Sequence, residues 1–320
     1  MSEPNQMPAR RAADSQRDRG VSRERILRLL FIAILVSSLG TLGWWYWQHF
    51  TGRNMVRESA PNWLPDNQHL IFQSETDGQS DLFVSSLLGG DREPAQTSPA
   101  DETGAAYTRD GNAIAFASDR DGNFEIYKVL GDFSTLVQLT HDPGRDMAPA
   151  WSPDGSFIVF MSNRSNPEFD LFKMNADGTG VEQLTRGGAN GFPEVSPDGG
   201  SVAYQNGRDV HVLNLQTRQT RRVTYEPMNG MHPTWSPDGL QLAFMTWRNG
   251  RTEIFTSKAD GSNQDLLVQM PSGDAVDPRW SPNGEYIAFV HVSGGVEASS
   301  QQRVIFVVDV KAKRLSRVSR

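Results

Sequence analysis

The apolar positions of this chain fall into short runs separated by turn residues, and the runs recur. PTWSPDGLQLAF, Pro233 to Phe244, holds a strand ending at an aromatic residue, a Pro-Asp-Gly turn and the start of a second strand. Pro suits the second position of such a turn, and Gly accepts the positive φ that closes it. PNWLPDNQHLIF from Pro61, AAYTRDGNAIAF from Ala105, PAWSPDGSFIVF from Pro149, PEVSPDGGSVAY from Pro193 and PRWSPNGEYIAF from Pro278 follow the same pattern. The runs after the turn, such as AIAFAS, FIVFMS and QLAFMT, lack strict alternation. They predict strands covered on both faces.

A third strand follows in each repeat (DLFVSS, EIYKVL, DLFKMN, DVHVLN, EIFTSK, RVIFVV), then an outer strand such as LVQLT or VEQLT. Asp66, Asp110, Asp154, Asp198, Asp238 and Asn283 hold the same place in the six turns, at intervals of 44, 44, 44, 40 and 45 residues. Four strands in a repeat of roughly 40–50 residues predict propeller blades. The first repeat begins near Ser59 and the sixth ends at Ser319. The expected fold class is therefore all-β, a six-bladed β-propeller of four-stranded blades over 59–320. Closing the ring removes the free sheet edges of a linear stack.

The phrase WSPDG … IAF … S-x-R-x-G … IY … DG … LT resembles the WD40-like (PD40) propeller repeats of the TolB-like family, over residues 59–320. The same repeats occur in the non-catalytic domains of prolyl-oligopeptidase-type enzymes. The resemblance implies the propeller fold and says little about function. TolB-like proteins carry an α/β domain ahead of the propeller, where this chain has an apolar segment. The peptidases carry a hydrolase domain with a Ser nucleophile, for which no motif is present.

The N-terminal segment is of another kind. Residues 1–28 hold seven Arg against Glu3, Asp14, Asp18 and Glu24, and read as a disordered basic tail. Leu29 to Trp47 then runs 19 residues without a charge. As a helix it would be about 28 Å long, near the thickness of a bilayer's hydrocarbon core. Trp44, Trp45, Tyr46 and Trp47 form an aromatic belt at its end. The expectation is a single transmembrane anchor over 29–47, a linker over 48–58, a cytoplasmic N-terminus and an extracytoplasmic propeller. A cleaved signal peptide, with Ser38 and Gly40 at the cleavage site, is the alternative.

The chain has no Cys, which excludes disulfides, thiolate nucleophiles and Cys-ligated zinc. Its formal net charge of -7 argues against a nucleic-acid partner. It contains no P-loop, H-E-x-x-H or G-x-S-x-G motif.

Five turn Asp and one Asn at equivalent positions point to turn closure rather than acid–base chemistry. Trp63, Trp151, Trp235 and Trp280, with Tyr107 and Val195 in the same slot, are expected to pack between blades. Arg120, Arg164 and Arg248 precede a hairpin that Glu125, Asp170 and Glu253 follow, so cross-strand pairs are expected there.

Antiparallel order places the blade-connecting loops on one face and the Pro-Asp-Gly turns on the other. On the loop face, Asp101, Glu102, Asp146, Asn190, Asp274 and Asp277 are expected to form an acidic channel mouth. His141, His232 and His291 could share that face and hold a transition metal. The reading that results is a membrane-anchored binding module of the cell envelope with no cofactor. Its expected partner is another envelope or membrane protein, including one with a basic peptide segment. A metal-dependent lyase or lactonase, or a carbohydrate or small-ligand sensor, is the alternative.

Overall fold

In the computed structural model the chain divides into residues 1–54 and Met55–Arg320. The structure describes residues 57–76, 78–87, 92–130, 135–225, 229–248, 250–294 and 301–318. The expected tail and anchor, and all but the last two residues of the expected linker, lie outside the described residues.

The described residues form 24 strands and no helix. In the first repeat these are β1 (Arg57–Trp63), β2 (His69–Thr76), β3 (Gln79–Ser86) and β4 (Glu93–Gln96), each antiparallel to the next. Every later repeat folds into the same four-stranded meander. The middle four meanders are separate sheets. The first and last share one sheet, joined by a parallel pairing of Arg57 with Arg303.

The second strands are buried on both sides, as their apolar runs require. Ile114, Ala115, Phe116 and Ala117 are all within 1% of full burial. Burial comes from successive sheets facing each other. Ile71 and Leu82 of the first meander pack on Ala105, Ile114 and Phe116 of the second. Equivalent clusters join each later pair, and Trp63, Leu70 and Phe72 pack on Ala288, Ile305 and Val307 of the last meander. Within meanders, aromatic cross-strand pairs such as Phe160–Phe172, 6.0 Å between centroids, hold the second strand to the third.

The turn residues close themselves. Ser236 Oγ donates to Asp238 Oδ1 (2.6 Å) and accepts from Gln241 N (2.9 Å), while Asp238 Oδ1 accepts from Leu240 N (3.0 Å). Ser152–Asp154, Ser196–Asp198, Ser281–Asn283 and Thr108–Asp110 repeat the arrangement. The Ser152 and Ser156 hydroxyls and the Ser156 amide hold the Asp154 carboxyl down at about 2.

Trp indoles tie one blade to the one before it. Trp151 Nε1 donates to Ala106 O, Trp235 Nε1 to Glu194 O, and Trp63 Nε1 to Arg279 O at 2.9 Å. Packing between blades is thus the role of this slot.

The expected hairpin ion pairs do not form. Arg120 Nη2 reaches Glu102 (2.9 Å) and Arg164 Nη2 reaches Asp146 (2.5 Å), both on the innermost strand of the same blade. Arg248 lies over the Phe255 ring. Two of the acids after the hairpin take the outer-strand Thr instead, and Glu253 accepts from Gln269 Nε2 (2.7 Å). Thr140 Oγ1 accepts from Ile126 N and donates to Glu125, and Thr185 Oγ1 does the same for Leu171 N and Asp170. The first-strand acid sits directly opposite the Ser two residues before the Arg (Glu102 with Ser118, Asp146 with Ser162), so the guanidinium folds back along the sheet.

Candidate binding site in the central channel

The acidic mouth does not assemble. Glu102, Asp146 and Asn190 begin their innermost strands and are buried to within 1% of completely. Glu102 is held by Ser98, Ser118 and Arg120. Asn190 donates to Asp170 (2.8 Å) and accepts from Asn206 (2.7 Å). Burial pushes the Glu102 carboxyl up to about 7 against Ser98 and Arg120, with Asp81 adding to the push. Burial likewise raises Asp146 to about 6 against Ser162, Arg164 and Thr140, with Glu125 adding. Asp101 and Asp274 clip neighbouring blades, accepting from Ser80 N (2.9 Å) and Thr252 N (2.6 Å). An acid at the start of an inner strand points into the seam between blades, not to solvent.

Asp277, the sixth of these residues, does line the channel, and a local irregularity puts it there. Each innermost strand slips register against its neighbour near its third or fourth residue, as between Ser59 and Asn62 or Val276 and Arg279. At that slip one residue takes positive φ: Ala60 (46°), Gly104 (64°), Ala148 (49°), Phe192 (50°), His232 (48°) and Asp277 (54°). Such angles are costly for any residue but Gly and unusual for a bulky one. All six residues line one cavity of about 110 Å³. Three meanders thus present Ala, Gly and Ala to the channel, and three present Phe, His and Asp.

The second group is connected. His232 Nδ1 lies 2.6 Å from Asp277 Oδ1, and the His232 ring stacks on Phe192 with centroids 3.7 Å apart. Burial works to raise the Asp277 carboxyl, but His232, Arg279 and Arg303 outweigh it and hold it below the ordinary range. The contact aims Nδ1 at the Asp277 carboxyl and leaves Nε2 on the far side of the ring. His232 Nε2 has no hydrogen-bond partner among the described residues.

Arg279, two residues beyond Asp277, also lines the cavity, and its Nη1 is 3.5 Å from Glu194. Glu194 accepts from Trp235 N (3.0 Å) and Thr234 Oγ1 (3.2 Å). Burial raises its carboxyl despite Arg279. Glu194 belongs to the lining of a second, wider space of about 530 Å³ at the turn end. Trp63, Tyr107, Trp151, Trp235 and Trp280 line it together with Pro65, Pro153, Pro197, Pro237 and Pro282. The Arg279–Glu194 pair joins the two spaces.

The three histidines stay apart. His232 binds Asp277, His291 Nε2 contacts Ser272 O at 2.8 Å, and His141 is exposed. Among the described residues no three His, Asp or Glu side chains gather as a metal site. The sequence reading singled out His232 and Asp277 for other roles and missed Phe192 and Arg279. The available signal was the residue before each P-x-W, where small residues give way to Phe, His and Asp at the repeat interval.

A family model described as the TolB beta propeller domain matches residues 34–209 and 201–319. The chain belongs to that family. The Tol-Pal system protein TolB of Ruthia magnifica subsp. Calyptogena magnifica is 25% identical over 104 residues, 32% of this chain and 23% of that protein. The chain spans less than a third of the curated relatives it matches. Among solved structures, TolB of Acinetobacter baumannii is similar with a TM-score of 0.62 at 18% identity, covering 74% of this chain and 58% of that one. An oligogalacturonate lyase of Vibrio parahaemolyticus is similar with a TM-score of 0.58 at 14% identity, covering 83% and 79%. Likenesses this distant establish the shared fold.

Proposed function

We propose that this TolB-like chain is a six-bladed propeller that binds another envelope or membrane protein and catalyses no reaction. Residues 29–47 anchor it in the membrane, with the 1–28 tail cytoplasmic and the propeller outside. The six-blade reading is supported by six meanders whose last packs on the first through Trp63, Arg279 and the Asn67–Asn283 bond.

The observation that carries the binding role is the turn-end funnel. Its aromatic and proline lining, interrupted by Arg109, Glu194 and three Asn, forms a preformed space wide enough for an extended or turned segment of a partner. The repeated turn carboxylates beside it are locked by their own Ser and backbone N–H groups, which leaves them no acid–base role. The Tol-Pal assignment of one relative agrees with an envelope partner.

A photo-crosslinking residue at Asn67, in the funnel, is the direct test in native membranes, with Leu136 on an exposed outer strand as control. One envelope protein should be captured from Asn67 and not from Leu136. The same capture from both sites, or none from Asn67, removes the funnel reading. A reporter that works only outside the cytoplasm, fused after Ser319, should be active, and inactivity there overturns the topology.

A further inference from the structure

The waist of the channel differs from the rest of the repeat array in what it does with an invariant backbone. The bulge recurs in all six inner strands, so positive φ at this place belongs to the architecture. Ala or Gly satisfies it at Ala60, Gly104 and Ala148. Phe192, His232 and Asp277 adopt the same angle with large side chains, which places a stacked ring, an imidazole and a carboxylate in one wall. The small residues opposite leave the cavity open, and the Met147 and Met161 thioethers complete an adaptable apolar side.

Two polar groups in that cavity have unused capacity. Asp277 fixes His232 through Nδ1, which orients Nε2 as a hydrogen-bonding atom without a partner among the described residues. The Arg279 guanidinium carries five donors, and among the described residues its one hydrogen bond is the 3.5 Å contact with Glu194. A planar fork of free donors suits a carboxylate, and a ring nitrogen beside it suits an O–H or N–H donor. Asp277 is paired with His232 2.6 Å away, and Arg279, which also faces Glu194, keeps donors beyond those two carboxylates. The cavity, about 110 Å³, is small beside the funnel and suits a short acid or the end of a chain.

We infer that the waist cavity is a binding site for a carboxylate bearing a hydrogen-bond donor on the adjacent carbon, with Arg279 holding the carboxylate, His232 Nε2 accepting from the donor, and Met147 and Met161 covering the apolar end. A small α-hydroxy acid offers this chemistry. So does the C-terminal carboxylate of a polypeptide, whose own amide N–H is the donor. The inference stands apart from the partner proposed for the funnel.

The test uses the full-length chain with 13C-labelled Met methyl groups, observed by NMR, the Met147 signal being assigned with Met147→Leu. Lactate should shift the Met147 and Met161 methyls saturably with a Kd of about 1 mM or lower. Propionate, which lacks the hydroxyl, should bind more weakly. Arg279→Gln should weaken lactate by about 10-fold or more. Ala148→Phe should fill the cavity from the opposite wall and abolish the shifts while leaving the His232–Asp277 pair in place. A short N-acetylated peptide with a free C-terminus that outcompetes lactate, while its amide does not, identifies a polypeptide end as the source. No saturable shift with either lactate or the peptide acid, or equal lactate binding by Arg279→Gln and the parent chain, overturns the inference. Crosslinking from Asn67 that persists in Arg279→Gln leaves the funnel reading intact whatever the outcome here.

Discussion

The turn end of the propeller and its waist are built on the same six-fold repetition and use it in opposite ways. At the turn end both backbone and side chains repeat. Ser or Thr closes on Asp or Asn, the neighbouring amides satisfy the carboxylate, and the preceding Trp reaches into the blade before. At the waist the backbone repeats while the side chains split into a small half and a large half. Repetition of side chains marks positions that hold blades together. Divergence on a constant backbone marks positions released from that duty. The Arg279–Glu194 contact is where the two regions meet.

The largest effect expected from breaking this contrast lies at the seam that closes the ring. Trp63 is 4% exposed, stacks on Tyr286 and donates to Arg279 O. Trp63→Ala should cost about 3–5 kcal/mol of stability by urea denaturation. Trp280 occupies the same slot, but its indole N–H has no partner among the described residues. Trp280→Phe should therefore change stability by less than about 1 kcal/mol. Similar losses for the two variants would show that the indole bonds do not set the strength of the seam.

A smaller effect should appear with pH, and it has opposite signs in two places. Glu102 and Asp146 are raised by burial to about 7 and about 6, so the native chain keeps protons that the unfolded chain releases. Their contribution is complete below the ordinary carboxylate range and is lost as pH rises toward 7. The turn carboxylates are depressed, Asp154 to about 2, so their contribution is present at neutral pH and lost as pH falls below the ordinary range. Stability should thus peak near pH ~5, between the two windows. Glu102→Gln should remove about 1 kcal/mol of the decline between pH ~5 and ~8 and leave the acid limb unchanged. Denaturation midpoints across this range that do not distinguish variant from parent would mean the seam carboxylates titrate alike in both states.

The smallest change tests whether the small half of the waist is scaffold alone. Ala148→Gly relieves a positive φ and gives up only one methyl packed at the edge of a core cluster, and should raise stability by up to about 0.5 kcal/mol. His232→Gly relieves the same angle but removes the Phe192 stack and the Asp277 partner, and should lower it. Equal gains from both, measured by thermal unfolding, would erase the distinction between the halves.

Much of this molecule is legible in its sequence because its order is periodic and local. The intervals between turn residues, the apolar second strands and the Ser-Pro-Asp-Gly closures follow from turn chemistry and strand burial within a few residues, which any repeat array writes into its sequence six times over. The TolB-like family and the packing role of the Trp slot follow from the same signals. What the tertiary structure alone decided are the partners of charged groups and the identity of the channel lining. Arg120 and Arg164 choose the inner-strand acids over the nearer hairpin acids because register, not separation along the chain, sets which groups share a face. Glu102, Asp146 and Asn190 turn into the seams because their strand begins between two blades. Phe192, His232 and Asp277, 40 and 45 residues apart in sequence, meet because a ring brings successive repeats around one axis and a bulge turns each of them inward. Such contacts depend on closure of the whole ring, and no local pattern encodes them.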